Sequence, residues 1–223
     1  MSDGVSEPPL SVKTGSSLTE SVPDKVVLVG DVGVGKTSLF LRFKTGQFHQ
    51  TTPSHNPRDG EHQKEWTLGT RKVSMTLFDT AGIERHMSTI PPTYFRWSKV
   101  VMLVYSIDDS DTFDSLTGWS ENAISARVGG ETLFVLVGNK LDLASERKVQ
   151  KSRAVTYASN IDIDSDMVFE VSALSGEGME HMFNTIAAKM GPALLQTPAQ
   201  GGRHGEEGLV GGGRRPIKKC CTT

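Results

Sequence analysis

Residues 30–38, Gly-Asp-Val-Gly-Val-Gly-Lys-Thr-Ser, match G-x-x-x-x-G-K-[ST], a pattern typical of phosphate-binding loops. Glycines let the backbone wrap a phosphate with its N–H groups pointing inward, and the positive end of a following helix adds to the attraction. Lys36 is predicted to reach the β- and γ-phosphates of a nucleotide, and the Thr37 hydroxyl to bind Mg²⁺. The alternative, a glycine-rich turn with a solvated lysine, is disfavoured because an apolar strand-like run precedes the loop and a helix-like run follows it. The predicted nucleotide contacts in this loop are Val32, Gly33, Val34, Gly35, Lys36, Thr37 and Ser38.

A second polar segment, Asp-Thr-Ala-Gly at residues 79–82, follows an apolar run. An acidic side chain at the end of a strand that faces a phosphate loop can hold Mg²⁺ through water, which makes Asp79 a candidate metal residue. Gly82 can bring its backbone N–H against a terminal phosphate without interference from a Cβ atom. An ordinary strand-to-loop turn would have the same composition, so the prediction depends on the neighbouring phosphate loop.

The segment Asn-Lys-Leu-Asp at residues 139–142 indicates which base is bound. The Asp142 carboxylate can accept hydrogen bonds from both N1–H and the 2-amino group of guanine, whereas adenine would leave that charge unpaired. Lys140 can lay its methylene stem along the base. Asn139 can tie this loop to the phosphate loop. A polar turn after a strand is the alternative, since tetrapeptides of this kind also occur by chance.

Weaker signals flank this motif. Ser172 and Ala173 follow the last predicted strand, where backbone N–H groups could reach the guanine O6 atom. Phe48, downstream of the first predicted helix, could stack edge-on against the base or could equally be a core side chain.

Alternating apolar and amphipathic runs predict the elements that position these loops. The predicted strands are Val26–Val29, Lys64–Leu68, Val73–Phe78, Val100–Tyr105, Leu133–Val137 and Val168–Val171. The predicted helices are Thr37–Phe43, Ser88–Arg96, Asp111–Ala126, Ser152–Asn160 and Gly178–Lys189, the second of which can only be short or broken because it contains Pro91 and Pro92. Helices between buried strands indicate a parallel α/β sheet with ligand loops at the carboxyl ends of its strands. The second and third strands have no helix between them and are expected to form an antiparallel hairpin.

Composition excludes several classes of protein. The chain has 223 residues, 22% of them charged, and a formal net charge of −2, which gives no reason to expect nucleic-acid binding. No apolar run approaches the ~20 residues of a transmembrane helix, and the first residues lack the apolar segment of a signal peptide. The only cysteines are Cys220 and Cys221, so the body has no thiol for a disulfide, which fits a reducing, cytosolic setting.

Changes in composition divide the chain into three segments. Residues 1–23 are rich in Ser, Pro, Gly and Thr and are predicted to be disordered. Residues 24–190 form the predicted structured domain. Residues 191–223, rich in glycine, are predicted to be a flexible tail.

The order of the motifs GDVGVGKTS, DTAG, NKLD and SAL resembles the Ras superfamily of small GTPases, from about Lys25 to Met190. Within it the chain most resembles the Rab family. Residues 79–85 resemble the Rab stretch DTAGQER, residues 93–96 its YYRGA segment and residues 104–107 its VYDIT segment. The resemblance implies an α/β, three-layer small-GTPase fold with a six-stranded, mostly parallel sheet and about five helices. It also implies GTP or GDP with Mg²⁺ as ligands, further base contacts from Leu143 and Leu174, and a role in vesicle traffic.

Three positions depart from the family pattern, and all three concern GTP hydrolysis. Ile83 stands where the family has the glutamine that orients the attacking water, and its side chain has no donor or acceptor. Val32 stands where the family has a small residue, so its branched side chain would crowd the water and any incoming arginine. His55 stands at the switch I position of a Mg²⁺-binding threonine, although imidazole suits transition metals better. Thr51 or Thr52 could replace that threonine through a shift of the loop.

These departures predict slow intrinsic hydrolysis, by ~10²-fold or more, and a poor response to activating proteins. The leading interpretation is a Rab-like switch with weak GTPase activity. The alternative is a hydrolysis-deficient, GTP-bound adaptor that recruits effectors to a membrane. A P-loop ATPase or nucleotide kinase is poorly supported, because the segment at 139–142 favours guanine.

The segment Lys-Lys-Cys-Cys-Thr-Thr at 218–223 resembles the Rab signal for double geranylgeranylation, in its CCxx form. Two prenyl chains hold a protein on a bilayer far better than one. Four nearby cations add attraction to an anionic leaflet: Arg214, Arg215, Lys218 and Lys219. Lipidation at Cys220 and Cys221 would place the protein on the cytosolic face of an intracellular membrane, with exchange factors, a prenylation escort and effectors as partners. The last four residues also fit C-a-a-X, with a polar X. The alternative to lipidation is a frayed tail with incidental thiols.

Overall fold

The fold is built around a sheet whose central strands are buried on both faces. In this computed structural model the described residues are 23–50, 60–81, 90–96, 98–126 and 132–190, and all of them fall within one compact unit. The strands are β1 (Asp24–Val29), β2 (Glu61–Leu68), β3 (Arg71–Phe78), β4 (Ser98–Ser106), β5 (Leu133–Asn139) and β6 (Val168–Glu170). Their order across the sheet is β2-β3-β1-β4-β5-β6.

The helices lie in two layers, one on each side of the sheet. They are α1 (Lys36–Thr45), α2 (Pro92–Phe95), α3 (Ser110–Asp114), α4 (Leu116–Ala126), α5 (Lys151–Asn160) and α6 (Met179–Met190). Two 3₁₀ helices cover Leu141–Glu146 and Ser165–Met167. α1 and α6 share one layer through Phe43 and Phe183, whose ring centroids are 4.6 Å apart. This arrangement confirms the predicted α/β class and its mostly parallel sheet.

Strand burial explains the sequence pattern of each strand. The last four residues of β1 are fully buried, and only Lys99 in β4 is exposed. Strands that are covered on both faces are apolar throughout, so these runs lack the alternation of apolar and polar residues. β2 lies at the edge of the sheet, and only His62, Trp66 and Leu68, on one of its faces, are half-buried. It pairs antiparallel with β3 through a two-residue turn at Gly69, so the expected hairpin is present.

Two predicted helices differ from the observed ones. The helix predicted at Asp111–Ala126 is divided at Ser115, whose N–H and hydroxyl both bond to the carbonyl of Asp111. This bond does not by itself account for the division, because Thr156 and Ser159 make the same kind of bond in α5 and that helix is continuous. The helix predicted at Ser88–Arg96 is observed as Pro92–Phe95, with Pro91 before its first turn, while residues 88–89 lie outside the described part. The division gives six α-helices among the described residues rather than about five.

The strand order places one loop at a special point. After β1 the chain re-enters the sheet at the β2–β3 hairpin, which lies on one side of β1, and it then continues to β4 on the other side. The loop after β1 therefore lies at the topological switch point, where open α/β sheets bind their ligands. Among the described helices, none has the length and apolar character needed to cross a membrane.

Candidate functional site

The loop between β1 and α1 forms an open backbone cradle. Gly33 and Gly35 have φ values of 85° and 93°, which glycine adopts without strain. A Cβ atom on Gly33 would meet no heavy atom within 4 Å, so the space beside it is open. Val34 is fully buried, whereas Val32 exposes 49% of its surface. The loop is thus anchored in the core on one side and open to solvent on the other.

Close packing against β4 fixes where the cradle begins. Gly30 has a φ of 144°, and a Cβ atom there would lie 2.1 Å from the carbonyl oxygen of Val104. Only glycine fits at this point, because any side chain would collide with the backbone of the neighbouring strand. The sheet and the loop are therefore in direct contact.

Lys36 is held across the loop that it follows. It is 3% exposed, and its Nζ atom donates hydrogen bonds of 2.7 Å to the carbonyl oxygens of Gly30 and Asp31. α1 begins at Lys36, and no side chain caps its N-terminus at Gly35. The ammonium group and the N–H groups of the first helical turn face the same cradle, a combination that attracts anions.

Hard oxygen donors border this cradle. Asp79, at the end of β3, is 4% exposed, and its Oδ1 atom accepts a hydrogen bond of 3.0 Å from the N–H of Ala81. The Thr80 hydroxyl donates to the carbonyl of Leu28 at 2.7 Å and so ties the ends of β3 and β1 together. Thr37 is half-buried in the first turn of α1. A hydroxyl and a carboxylate are the donor types that Mg²⁺ prefers, so the residues present fit that ion.

Asn139 joins three segments of the site. Its Nδ2 atom donates to the carbonyl of Val34 at 2.9 Å, and its Oδ1 atom accepts from the N–H of Ala173 at 3.2 Å. The amide is 2% exposed, and a Cβ atom on Gly35 would lie 2.4 Å from its Nδ2 atom. The link expected between this motif and the phosphate loop is therefore present, and it extends to the loop after β6.

Lys140 has a left-handed backbone and a charged neighbour. Its φ is 66°, and its Nζ atom lies 3.7 Å from Oδ1 of Asp108. Although burial alone would raise the pKa of Asp108, its hydrogen bond with Ser106 and the charge of Lys140 outweigh that effect and lower it. The ammonium group of Lys140 is therefore paired with the Asp108 carboxylate, and its aliphatic stem lies beside the loop that follows β5.

Asp142, the candidate that would recognise the base, is an exposed residue. Its Oδ1 atom accepts a hydrogen bond of 2.5 Å from the hydroxyl of Ser172, so one carboxylate oxygen is already oriented. Leu174 exposes 51% of its surface beside the buried Ala173. Leu143 and Phe48 are both half-buried, which argues against a core role for Phe48.

Two side chains that the sequence patterns did not indicate also hold the site. Trp119, on α4, donates from Nε1 to Oδ1 of Asp31 at 2.7 Å. Arg42, on α1, donates from a terminal guanidinium nitrogen to the carbonyl of Ser175 at 2.8 Å. Both lie far in sequence from their acceptors, and no motif marks them. The amphipathic pattern of α4 could only have predicted that Trp119 faces inward.

Several predicted residues lie outside the described part of the chain. They are Gly82 and Ile83, the switch I residues Thr52 and His55, and the cysteines Cys220 and Cys221. Their assignments remain predictions from the sequence.

Comparison with known proteins gives a consistent result. The Ras family model matches residues 25–191. The chain is 33% identical to the Ras-related protein Rab-21 of Bos taurus over 179 residues, which cover 79% of this chain and 77% of that protein. It is 36% identical to the Ras-related protein Rab-13 of Canis lupus familiaris over 73% of this chain and 77% of that protein. It is also 33% identical to the Ras-related protein Rab-10 of Diplobatis ommata over 89% of this chain and 95% of that protein.

Proposed function

This chain belongs to the Ras family of small GTPases and to its Rab branch, and we propose that it is a membrane-anchored molecular switch in vesicle traffic that hydrolyses GTP slowly. The observation that supports the guanine-nucleotide part of the proposal is the contact of Asn139 with both Val34 and Ala173. One side chain thereby couples a phosphate-type cradle to the loops assigned to the guanine base.

In this proposal different residues of the chain bind different parts of the nucleotide. Lys36 and the first turn of α1 hold the phosphates, and Asp142 accepts the two guanine N–H donors. Thr37 and Asp79 would hold Mg²⁺, which would screen the charge of the phosphates when bound. Because Lys36 already sits in position on two carbonyl oxygens, little rearrangement is needed before a nucleotide enters.

Slow hydrolysis is proposed from the residues beside the reacting phosphate. Val32 presents a branched, half-exposed side chain at the open side of the cradle. Ile83 offers no donor or acceptor to an attacking water, and His55 replaces the hard oxygen ligand of switch I. The same three residues would favour the GTP-bound adaptor if the loss of hydrolysis is complete.

A single-turnover assay with γ-labelled GTP and Mg²⁺ tests the proposal. We expect GTP to bind and to be cleaved ~10²-fold more slowly than by a Rab protein that has the usual glutamine. The variant I83Q should raise the rate at least ~10-fold, and V32A should raise it further. The matched control I124Q changes another isoleucine, 42% exposed on α4, and should leave the rate unchanged.

The outcomes separate the competing functions. An ordinary Rab rate in the wild-type protein, or no response to I83Q, would contradict the slow-switch proposal. GTP that binds but is never cleaved would favour the hydrolysis-deficient adaptor over the slow switch. Binding of ADP as strong as that of GDP would contradict the guanine assignment of Asp142.

A further inference from the structure

The indole of Trp119 contacts the phosphate loop from outside the family's recognised motifs. Trp119 is 8% exposed on α4, and its Nε1 atom donates a hydrogen bond of 2.7 Å to Oδ1 of Asp31. The two residues are 88 positions apart in the sequence. The contact therefore depends on α4 packing beside β4 and the loop.

Asp31 presents an electrostatic problem in a loop that binds phosphates. Its carbonyl oxygen accepts a hydrogen bond from Lys36 at 2.7 Å, so its backbone is part of the cradle. Its carboxylate has the same sign of charge as the phosphates and would repel them if it turned toward the cradle. Solvent weakens such repulsion at this open loop, but the repulsion still acts over the few ångströms between neighbouring groups. Something must hold this carboxylate to one side.

We propose that Trp119 is a positioning residue for nucleotide binding. Its indole N–H fixes the Asp31 carboxylate against α4, away from bound phosphates, and steadies the carbonyl on which Lys36 rests. The proposal assumes that the loop binds a guanine nucleotide, as argued above. Asn139 fixes the loop at Val34, and Trp119 fixes it at Asp31, so the exposed residues Val32 and Gly33 lie between two anchored points.

The test is the substitution W119F, which removes the N–H donor and keeps an aromatic ring in the core. Affinities for GTP, GDP and GMP are measured by titration with Mg²⁺ at low and high salt. We expect GTP to bind about 10-fold more weakly, because a hydrogen bond to a charged group is lost and a carboxylate is released. The loss should be smaller for GMP, which has one phosphate, and should shrink at high salt because repulsion is screened.

A second substitution separates positioning from simple packing. In the double variant W119F/D31N the carboxylate is gone, so GTP affinity should return to within about 3-fold of wild type. The matched control W66F removes another indole N–H, which donates to Oδ1 of Asn184 at 3.0 Å, and should leave all three affinities unchanged.

Distinct results would overturn the proposal. They are unchanged GTP binding by W119F, or an equal loss for GTP and GMP that D31N does not rescue. If W119F does not fold, the GTP affinity of the single variant D31N tests the proposal. Its amide oxygen can still accept the indole N–H, so GTP binding should be at least as tight as in the wild type, and weakening by more than about 3-fold would overturn the proposal. A wild-type protein that binds no GDP would instead refute the proposed function itself.

Discussion

At the scale of single residues, the site depends on side chains that hold atoms of loops distant in the sequence. Asn139, Arg42 and Trp119 all donate to acceptors that are more than 80 positions away in the sequence. Each one fixes a loop that has no regular secondary structure of its own. The affinity of the site for a nucleotide should therefore depend on these three contacts as well as on the residues that would touch the ligand.

Replacing Asn139 with alanine should loosen the site at both of its ends. The change leaves the carbonyl of Val34 and the N–H of Ala173 buried without the partner that each has now. An unsatisfied buried group costs about 1–3 kcal/mol, so GDP should dissociate roughly 10- to 100-fold faster. Stopped-flow release of a fluorescent GDP analogue measures this rate.

Asn184 provides the control for that experiment. It is an exposed amide on α6 that accepts a hydrogen bond from Trp66. N184A should release GDP at the wild-type rate, since neither residue borders the cradle. Equal rates for N139A and the wild type would show that the bridge is not needed to retain the nucleotide.

At the scale of elements, one ion pair ties the 3₁₀ helix at Leu141–Glu146 to β6. Arg147, just after that helix, makes two hydrogen bonds of 2.5 and 3.0 Å to the carboxylate of Glu170. The side chains are only 18% and 11% exposed. The hydrogen bonds to Glu170 raise the pKa of Arg147 above its ordinary value. The pair holds the two loops assigned to the base at a constant separation.

The substitution E170Q should therefore destabilise the fold. Removing one partner of a largely buried pair leaves an uncompensated charge and costs about 3 kcal/mol. The matched control is D114N, which breaks the pair of Asp114 and Arg153, where the side chains are 59% and 46% exposed. D114N should cost less than about 1 kcal/mol. Urea unfolding of the nucleotide-free protein measures the free energy of unfolding of both variants. An equal loss of stability in E170Q and D114N would contradict a special role for Glu170.

The edge strand β2 should make stability sensitive to mild acid. His62 packs edge-on against Phe43 at 5.9 Å, and burial lowers its pKa below 6.5, with further lowering by Lys44 and Lys64. As pH falls from 7 to 5, the unfolded chain takes up this proton before the folded one does, so stability is lost over that interval. H62Q should reduce the loss, and K44Q should reduce it in part. Unfolding midpoints at pH 7 and pH 5 measure the loss of stability. The same loss in H62Q and in the wild type would contradict the role of His62.

The elements were predictable to the extent that their residues are governed by local rules. The buried runs of β1, β4 and β5 and the short β2–β3 turn follow from composition and chain order alone. The division at Ser115 does not, because residues 113–116 contain no proline or glycine that would indicate a break in the helix. The roles of Trp119 and Arg42 could not be predicted from the sequence either. Their partners are set by how helices pack on the sheet, and no residue spacing in the sequence records that.

At the scale of the whole molecule, charge is distributed unevenly along the chain. The net charge of −2 includes the four cations Arg214, Arg215, Lys218 and Lys219, so residues 1–213 carry −6. An anionic leaflet would repel that larger part and attract the basic segment, each cation contributing ~1 kcal/mol at most. Because this attraction is weak, we propose that the membrane anchor is lipid on Cys220 and Cys221 rather than the basic segment alone.

The variant C220S/C221S should therefore be released from membranes entirely. Two prenyl chains anchor a protein far more strongly than electrostatic attraction does, and one chain binds only reversibly. We expect each single cysteine variant to distribute between membrane and soluble fractions.

A charge variant in which the four cations become glutamine should stay largely bound if both cysteines carry lipid. Fractionation of cells that express tagged proteins measures the distribution, with GDP binding checked in parallel because the cradle is remote in sequence from the cysteines. Membrane retention of C220S/C221S would contradict the proposed lipid anchor. Another surface of the protein would then have to bind the membrane.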